Sequence, residues 1–490
     1  MLVVLADVFD VLNQKSIRYF HWKSNEHLNA SLNGDTDLDI MVHRDDQKEF
    51  IKIIQEKGFS FYQSAGKQSY ISISDYLLLD SESKKVIHIH LHNGLMIGRK
   101  FFKEYLIPIE ECYFEKAMFD SKHTVKIMNP DQELVTLWLR YALKISIFKL
   151  FLNRFKISKD FLRESEWLEK RTNRENILTT IEDFGFDSSK ELYSLFNDFF
   201  LFNKSPANTL RLIFKIKKVL KKYKTESFTG IKYTYIRLLM VSRYMLQQKL
   251  NVPVSYRRIN QDGGRIIALV GSDGAGKSTI ISSLEKSLKK KLDVYNVYLG
   301  SGDGQSSFLR APLQIVKKFI KFISNNKIVN QDKQKKDTNF RNLTFAKVIW
   351  ALTLALEKKK KLKQVWKAKA RGMIVICDRY PQTEVLGIND GPLLFSWINS
   401  KKKIKRNLAE WEIQIYRLAE SYKPDILIKL MVEPEVAIMR KPDEDLNNIK
   451  QKVDIIKRIN IPAKKTVEID ATMPLERVLE NAYSEVSKIL

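Results

Sequence analysis

The most informative stretch of this 490-residue chain is Gly271-Ser272-Asp273-Gly274-Ala275-Gly276-Lys277-Ser278-Thr279. It has the pattern G-x-x-x-x-G-K-[ST], whose glycines let backbone N–H groups turn inward around phosphate groups. An apolar run at 266–270 predicts a buried parallel strand before it, and apolar residues at helical spacing over 280–288 predict a helix after it. In that context all nine residues are candidate nucleotide contacts, with Lys277 at the β- and γ-phosphates and Ser278 on Mg²⁺.

Two further apolar strands are predicted to end beside this loop. The run at 373–377 leads into Asp378 and Arg379, at the strand end where open α/β sheets bind ligands. There we expect Asp378 to hold Mg²⁺ through water or to accept a proton, and Arg379 to bind a phosphate through two hydrogen bonds. Taken alone, this pair also fits a surface ion pair.

The third apolar strand, at 424–432, precedes a helix that ends near the two cationic residues Arg440 and Lys441. A cation there is a candidate for stabilising charge on the transferred phosphoryl group. The alternative is that Arg440 only interacts favourably with the carboxyl end of its own helix.

Together these segments resemble the thymidylate kinase branch of the P-loop nucleotide kinases. The resemblance covers about residues 265–490 and rests on the loop, on Asp378-Arg379-Tyr380, on Pro424-Asp425 and on Glu433-Pro434-Glu435. It implies a five-stranded parallel sheet, ATP and Mg²⁺ as cofactors, Asp273 facing the sugar of the acceptor, and Arg379 near the acceptor phosphate. It also implies a donor-side arginine from the lid, which points to Arg440, with Arg458 in reserve.

The predicted acceptor side departs from the thymidylate kinases. The segment 299–304 replaces their acceptor arginine segment, and 381–384 replaces the residues that contact thymine. The pattern resembles more closely the thymidylate kinase-like proteins found with bacterial surface-polysaccharide genes. The resemblance therefore implies a phosphoryl donor site and leaves the acceptor open.

The N-terminal part contains a second set of candidate metal ligands. Asp37 and Asp39 lie two residues apart at the start of a predicted strand, 38–42. Residues i and i+2 of a strand share a face about 6.5–7 Å apart, so both carboxylates can converge on Mg²⁺. A solvated acidic turn is the alternative.

With Phe20-His21-Trp22-Lys23-Ser24 ahead of it, this segment resembles the nucleotidyltransferase superfamily over about residues 10–130. That superfamily places a third carboxylate on a later strand, but the strand predicted at 86–92 carries three histidines on one face. They fit a transition-metal site, a pocket whose catalysis has been lost, or ordinary hydrogen-bonding positions. The histidines are His88, His90 and His92.

The predicted fold class is α/β, with three domains. An α+β nucleotidyltransferase-like domain is expected at 1–130, a helical linking domain at 131–255, and a P-loop domain with a helix-covered parallel sheet at 256–490. The Pro- and Gly-containing segment 251–264 is interpreted as a linker.

Composition limits the partners of the chain. Its formal charge is +27, from 84 Lys and Arg against 57 Asp and Glu, which fits either a polyanionic partner or lysines scattered over solvated faces. The segment 313–323 is basic and amphipathic, so it fits a core-packing helix or peripheral contact with an anionic inner membrane. We expect a cytoplasmic protein whose partner is a small-molecule phosphate acceptor, and a homodimer is compatible with the sequence. No motif in the sequence supports nucleic-acid binding.

Two functional hypotheses follow. The first is an ATP- and Mg²⁺-dependent kinase of a nucleoside monophosphate or a related acceptor, with nucleotidyl transfer by the N-terminal domain as a second step in activating a surface-polysaccharide precursor. The alternative is an NTP-gated regulatory or scaffold protein whose nucleotidyltransferase-like domain is inactive.

Overall fold

The computed structural model describes residues 1–65, 70, 72–99, 102–108, 111–145, 157–186, 188–199, 206–225, 230–300, 345–386 and 390–490. Its contacts divide the chain into two compact units. The N-terminal unit comprises Met1–Leu78 and Lys85–Met245, and the C-terminal unit comprises Leu79–Lys84 and Leu246–Leu490. The amphipathic segment 313–323 and most of the acceptor segment 299–304 lie outside the described residues.

The N-terminal unit is built on a mixed sheet with the order β3-β4-β5-β2-β1-β9-β8, and β6 and β7 form a separate antiparallel pair. Strand β2 runs parallel to β5 and antiparallel to β1. The strands are β1 (Tyr19–His21), β2 (Leu38–Val42), β3 (Ser60–Ser64), β4 (Ile73–Asp80), β5 (Lys85–His92), β6 (Leu95–Arg99), β7 (Phe102–Ile107), β8 (Met118–Phe119) and β9 (Lys126–Ile127).

The helices of this unit fall into an early group and a later, consecutive group. The early ones are Val3–Gln14, Leu28–Leu32, Gln47–Glu56 and Glu111–Glu115; the later ones are Pro130–Lys144, Lys159–Glu169, Arg174–Asp183, Ser189–Asn197, Pro206–Val219 and Gly230–Tyr244. The first of the later group begins where the sequence predicts, because the Asn129 side chain accepts a hydrogen bond from the Asp131 N–H and Pro130 occupies the first turn.

The sheet and the helical stretch of this unit share a core. Phe20 and Trp22 of the β1 region pack in one buried cluster with Leu134 and Trp138 of the helix Pro130–Lys144. The predicted boundary at residue 130 therefore does not separate two cores, because the helical stretch completes the apolar packing of the segment before it. The three-domain division stays a prediction.

The C-terminal unit contains a five-stranded sheet with the order β12-β13-β11-β14-β15, in which all neighbours are parallel. This confirms the predicted parallel sheet. The strands of the unit are β10 (Arg258–Asn260), β11 (Arg265–Gly271), β12 (Val294–Tyr298), β13 (Ile374–Asp378), β14 (Ile426–Met431) and β15 (Thr466–Asp470). The helices are Lys277–Leu288, Phe345–Ala370, Lys403–Ser421, Pro434–Arg440, Leu446–Arg458 and Leu475–Ser487.

Buried apolar strands explain this topology. Residues Ile266, Ile267, Ala268 and Leu269 of the central strand β11 are fully buried, as expected for a parallel strand with helices on both faces. The register sets Leu269 and Tyr298 opposite Asp378, so the carboxyl ends of three strands meet at one edge. A ligand crevice is expected at that edge.

The segment 251–264 is more ordered than a linker. It contains β10, and the backbone N–H groups of Tyr256 and Arg257 donate to the Asp293 carboxylate at 2.8 and 2.9 Å. A Cβ on Gly264 would lie 2.0 Å from the Met373 carbonyl oxygen. The linker interpretation rested on Pro, Gly and polar residues and did not anticipate this order, in which glycine allows a close backbone approach.

No helix among the described residues is long and apolar enough to cross a bilayer.

Candidate functional site

The phosphate-binding loop joins β11 to the helix Lys277–Leu288, as the sequence predicts. Gly274 and Gly276 have left-handed backbone angles, with φ of 82° and 86°, which side chains other than glycine's disfavour. A Cβ on Gly274 would also lie 2.4 Å from the carbonyl oxygen of Ala437. The loop thus takes its shape from glycine conformation and from close packing against the helix Pro434–Arg440.

Lys277 is held inside the loop. Its ammonium donates hydrogen bonds to the carbonyl oxygens of Gly271 at 2.9 Å and Ser272 at 2.7 Å. Burial, together with the nearby charge of Arg379, lowers the pKa of Lys277 to about 8. The amine is therefore positioned at the helix N-terminus, where anionic phosphate is favoured.

The loop opens into a cavity of about 880 Å³. This volume lies near the upper end of the ~300–1,000 Å³ typical of small-molecule sites. Besides Asp273, Gly274, Gly276, Lys277, Ser278 and Thr279 of the loop, its lining comprises Tyr298, Asp378, Arg379, Asp390, Gly391, Leu393, Arg440, Lys441, Glu444 and Lys452. The structure thus brings most of the sequence-predicted residues of the C-terminal unit to one cavity.

Asp273 is the centre of an ion network in this cavity. Arg379 donates to one of its carboxylate oxygens at 3.0 Å, and Lys452 donates to the other at 2.5 Å. Arg379 also lies 3.5 Å from Asp390 and has a positive φ of 67°. Burial alone would raise the pKa of Asp273, but the hydrogen bond from Lys452 and the charge of Arg379 outweigh it and lower that pKa to about 2.

Asp378 has a different environment from Asp273. Its Oδ1 is buried and has no hydrogen-bond partner among the described residues. Burial raises its pKa, while the charges of Lys277 and Arg379 act in the opposite direction. A buried carboxylate oxygen with unused acceptor capacity, facing a phosphate-binding loop, fits a ligand of hydrated Mg²⁺.

Arg440 lines the cavity at the end of the helix Pro434–Arg440, and its guanidinium donates to the Ala471 carbonyl oxygen at 2.8 Å. Arg458 is not among the described residues that line the cavity. Lys441, the other cation predicted at this helix end, also lines the cavity, whereas Lys452 is a cavity residue that sequence reasoning missed. The position of Lys452 depends on how the helix Leu446–Arg458 packs, and no sequence motif predicts that packing.

The N-terminal unit holds the second group of predicted site residues. The parallel register sets Asp39 on β2 directly opposite His90 on β5. The Asp39 Oδ1 atom lies 3.2 Å from His90 Nδ1 and 3.3 Å from His92 Nε2, and 2.7 Å from the Lys23 ammonium. Asp37 lies 3.0 Å from His88 Nδ1. The shared face of the three histidines is confirmed.

A third carboxylate is present, and sequence reasoning missed it. Asp75 lies on β4, next to β5, and its Oδ1 is 2.8 Å from His88 Nε2 and 2.9 Å from His90 Nε2. Ser64 donates to its other oxygen at 2.6 Å. The available signal was an aspartate directly before the apolar run 76–79 of β4, the strand that precedes β5 in the chain.

Burial makes these charges interact strongly. It would raise the pKa of Asp39, but Lys23 and the two imidazoles hold that pKa well below its usual value. Burial alone would lower the pKa of His90, but the hydrogen bonds of His90 to Asp39 and Asp75 outweigh burial and raise that pKa. For His92 burial dominates and lowers the pKa to about 3.

No protein-family model matches the chain, but curated proteins do. The chain is 31% identical to the uncharacterized ATP-binding protein YghR of Escherichia coli (strain K12) over 231 residues, 46% of this chain and 87% of the relative. It is 30% identical to the uncharacterized ATP-binding protein YghS of the same organism over 233 residues, 47% of this chain and 96% of the relative.

Solved structures give a weaker likeness. A deoxyadenosine kinase from M. mycoides with bound dATP is 20% identical, with 45% of this chain and 98% of that chain covered and a TM-score of 0.24. The same enzyme with bound dCTP is 15% identical, with 46% and 99% covered and a TM-score of 0.25. The fold of the C-terminal unit is therefore established by its own sheet order and loop. By its sequence identity to YghR and YghS, whose names describe them as ATP-binding, the chain belongs to the family of these proteins.

Proposed function

We propose that the C-terminal unit is an ATP- and Mg²⁺-dependent phosphotransferase of the thymidylate kinase-like type, acting on a nucleoside monophosphate or a related small phosphorylated acceptor. The observation that carries the proposal is the shared cavity of Lys277 and Arg379, in which Arg379 is hydrogen-bonded to Asp273 of the loop itself. The family's ATP-binding names support the donor half of the reaction.

The donor half follows from the loop. Lys277 exchanges its two carbonyl partners for the β- and γ-phosphates, because charge-assisted hydrogen bonds to phosphate are stronger than those to neutral carbonyls. Ser278 and Asp378 are the residues that would hold Mg²⁺, which would supply positive charge to the phosphate groups. The loop N–H groups bind the remaining phosphate oxygens.

The acceptor half follows from the ion network. The planar guanidinium of Arg379 suits bidentate binding of an acceptor phosphate, and its hydrogen bond to Asp273 holds it beside the loop. Asp273 and Asp390 hold Arg379 in place from two sides before the acceptor binds. A positioned cation costs less ordering free energy when the phosphate arrives.

Further cations that line the cavity suit the transition state. Arg440 ends the helix Pro434–Arg440, and Lys441 follows it directly. Phosphoryl transfer needs stabilisation of charge on the equatorial oxygens rather than covalent chemistry by the protein. We assign Arg440 to that role, which requires it to leave the Ala471 carbonyl.

The proposal extends to the N-terminal unit. Asp37 and Asp39 form a pair of candidate metal ligands at the start of β2, which metal-dependent nucleotidyl transfer requires, and Asp75 on β4 contacts the neighbouring histidines. Kinase followed by nucleotidyl transfer is a sensible order for activating a building block, and we place the pair in precursor activation for a surface polysaccharide.

The test is acceptor binding measured by isothermal titration calorimetry. Nucleoside monophosphates and sugar phosphates are titrated into the full chain saturated with a non-hydrolysable ATP analogue and Mg²⁺. We expect at least one acceptor to bind and its affinity to fall in Arg379→Ala, while affinity for the ATP analogue changes less. Tight ATP binding with turnover that no small phosphorylated acceptor stimulates would instead favour the NTP-gated regulatory or scaffold protein.

A further inference from the structure

Nucleotidyl transfer accounts for carboxylates in the N-terminal unit but not for the three imidazoles that cluster with them. Two groups of ligand-type side chains converge there, with ligand atoms within 4.8 Å of one another in each group. One group is Asp37, His88 and His90, and the other is Asp39, His90 and His92. His90 belongs to both groups, so it is the common element of the cluster.

Asp75 orients two of these imidazoles in the same way. Its Oδ1 lies 2.8 Å from His88 Nε2 and 2.9 Å from His90 Nε2, and it is almost fully buried. A carboxylate in that place accepts an N–H from each ring, which leaves both Nδ1 atoms as lone-pair donors. Ser64 in turn fixes the carboxylate through its other oxygen.

The two Nδ1 atoms then face further carboxylates. His88 Nδ1 lies 3.0 Å from Asp37, and His90 Nδ1 lies 3.2 Å from Asp39. A nitrogen lone pair directed at a carboxylate oxygen is repulsive unless a proton or a metal cation lies between them, and a bound dication can replace the proton. The arrangement of carboxylate, imidazole and a shared cation is the one by which outer carboxylates orient histidine ligands at metal centres.

The residue types indicate which cation suits the cluster. Mg²⁺ prefers oxygen ligands and keeps several waters, whereas imidazole nitrogens suit zinc and other first-row transition metals. Three imidazoles at one place are therefore a poor match for a site that holds only Mg²⁺. Two carboxylates balance the charge of one dication, once the Lys23 ammonium moves from its position 2.7 Å from Asp39.

We propose that this cluster is a binding site for one first-row transition-metal dication of the Zn²⁺ class, with His90 as the shared ligand. The remaining ligands come from Asp37, Asp39, His88 and His92, and Asp75 is a positioning residue that fixes the ring orientation. The proposal goes beyond the kinase function, because it concerns the other unit and needs no nucleotide.

The test uses the metal ion alone. Metal-stripped full-length protein is titrated with Zn²⁺ by calorimetry and with Co²⁺ by visible absorption, without nucleotide. We expect one ion per chain and Co²⁺ absorption bands typical of nitrogen and oxygen ligands at low coordination number. Absence of saturable Zn²⁺ and Co²⁺ binding, or equal affinity for Mg²⁺, overturns the proposal without any variant.

Variants locate the ion. His90→Ala is expected to remove Zn²⁺ binding, and the matched control His27→Ala, which changes an exposed histidine of the same unit, should leave it intact. Asp75→Ala should weaken Zn²⁺ by about 10- to 100-fold and shift the Co²⁺ spectrum. Asp75→Asn keeps an acceptor oxygen and should restore most of the affinity. Zn²⁺ binding that is unchanged in folded His90→Ala contradicts the assignment.

Discussion

Two glycines of the phosphate-binding loop provide a matched pair for testing how the loop is shaped. Gly274 and Gly276 have nearly equal φ values of 82° and 86°. An alanine Cβ at 276 would meet no atom within 4 Å, whereas at 274 it would lie 2.4 Å from the Ala437 carbonyl oxygen. The pair therefore separates the cost of the backbone conformation from the cost of the close approach.

The magnitudes follow from these two differences. An alanine in the left-handed region costs about 1–2 kcal/mol, and reduced freedom of the unfolded chain offsets about 0.4–1 kcal/mol of that. Both terms apply to both substitutions and cancel in the comparison. Gly274→Ala must also push the Ala437 carbonyl from 2.4 Å to beyond 3.0 Å, a steric change of the kind that costs about 1–3 kcal/mol.

The assay is differential scanning calorimetry of the full chain. The transition that moves upwards on addition of ATP and Mg²⁺ belongs to the C-terminal unit, because ligands stabilise only the folded state that binds them. We expect the midpoint of that transition to be lower in Gly274→Ala than in Gly276→Ala by about 2–12 °C. Equal midpoints, or a lower one for Gly276→Ala, would refute the packing of the loop against the helix Pro434–Arg440.

Three other predictions concern the same unit. Lys277→Met should weaken ATP binding about 10- to 150-fold, the loss expected for a charge-assisted hydrogen bond of ~1.5–3 kcal/mol, as measured by calorimetry against wild type. Because the pKa of Lys277 in the free protein is about 8, the charged fraction of Lys277 falls as pH rises through 8. The ATP dissociation constant of wild type should therefore rise in that pH range. The dissociation constant of Lys277→Met should show no such rise. Lys452→Met removes a cavity cation that is hydrogen-bonded to Asp273, so Arg379 loses part of its alignment. Affinity for the acceptor should therefore fall more than affinity for ATP. A larger effect on ATP affinity would contradict the assignment of Lys452 to the acceptor side. Lys450→Met, an exposed lysine of the same helix, is its control.

Local sequence signals were sufficient for the strands and the loop. The apolar runs that end at Gly271 and Asp378 are short, buried and flanked by turn residues, so their strand identity depends on few distant contacts. The same holds for the alternation on β5, where Ile87, Ile89 and Leu91 enter the core and the histidines take the other face.

The missed residues depend on packing between distant segments. Lys452 reaches Asp273 across 179 positions of the chain, and Asp75 joins the histidines from a neighbouring strand. Neither residue lies within a motif. The spacing of apolar residues predicts that a segment forms a strand, but it does not predict which other strand that segment pairs with. The segment 251–264 shows the converse, since glycines that indicate flexibility in isolation serve close packing here.

The most direct measurement of the central claim is the fate of the γ-phosphate. The full chain is incubated with [γ-³²P]ATP, Mg²⁺ and a panel of nucleoside monophosphates and sugar phosphates, and the labelled products are separated and identified by mass spectrometry. Phosphoryl transfer in the cavity predicts label on one small organic acceptor with wild type and none with Lys277→Met. Label found only as inorganic phosphate, or transfer that persists in Lys277→Met, would contradict the account.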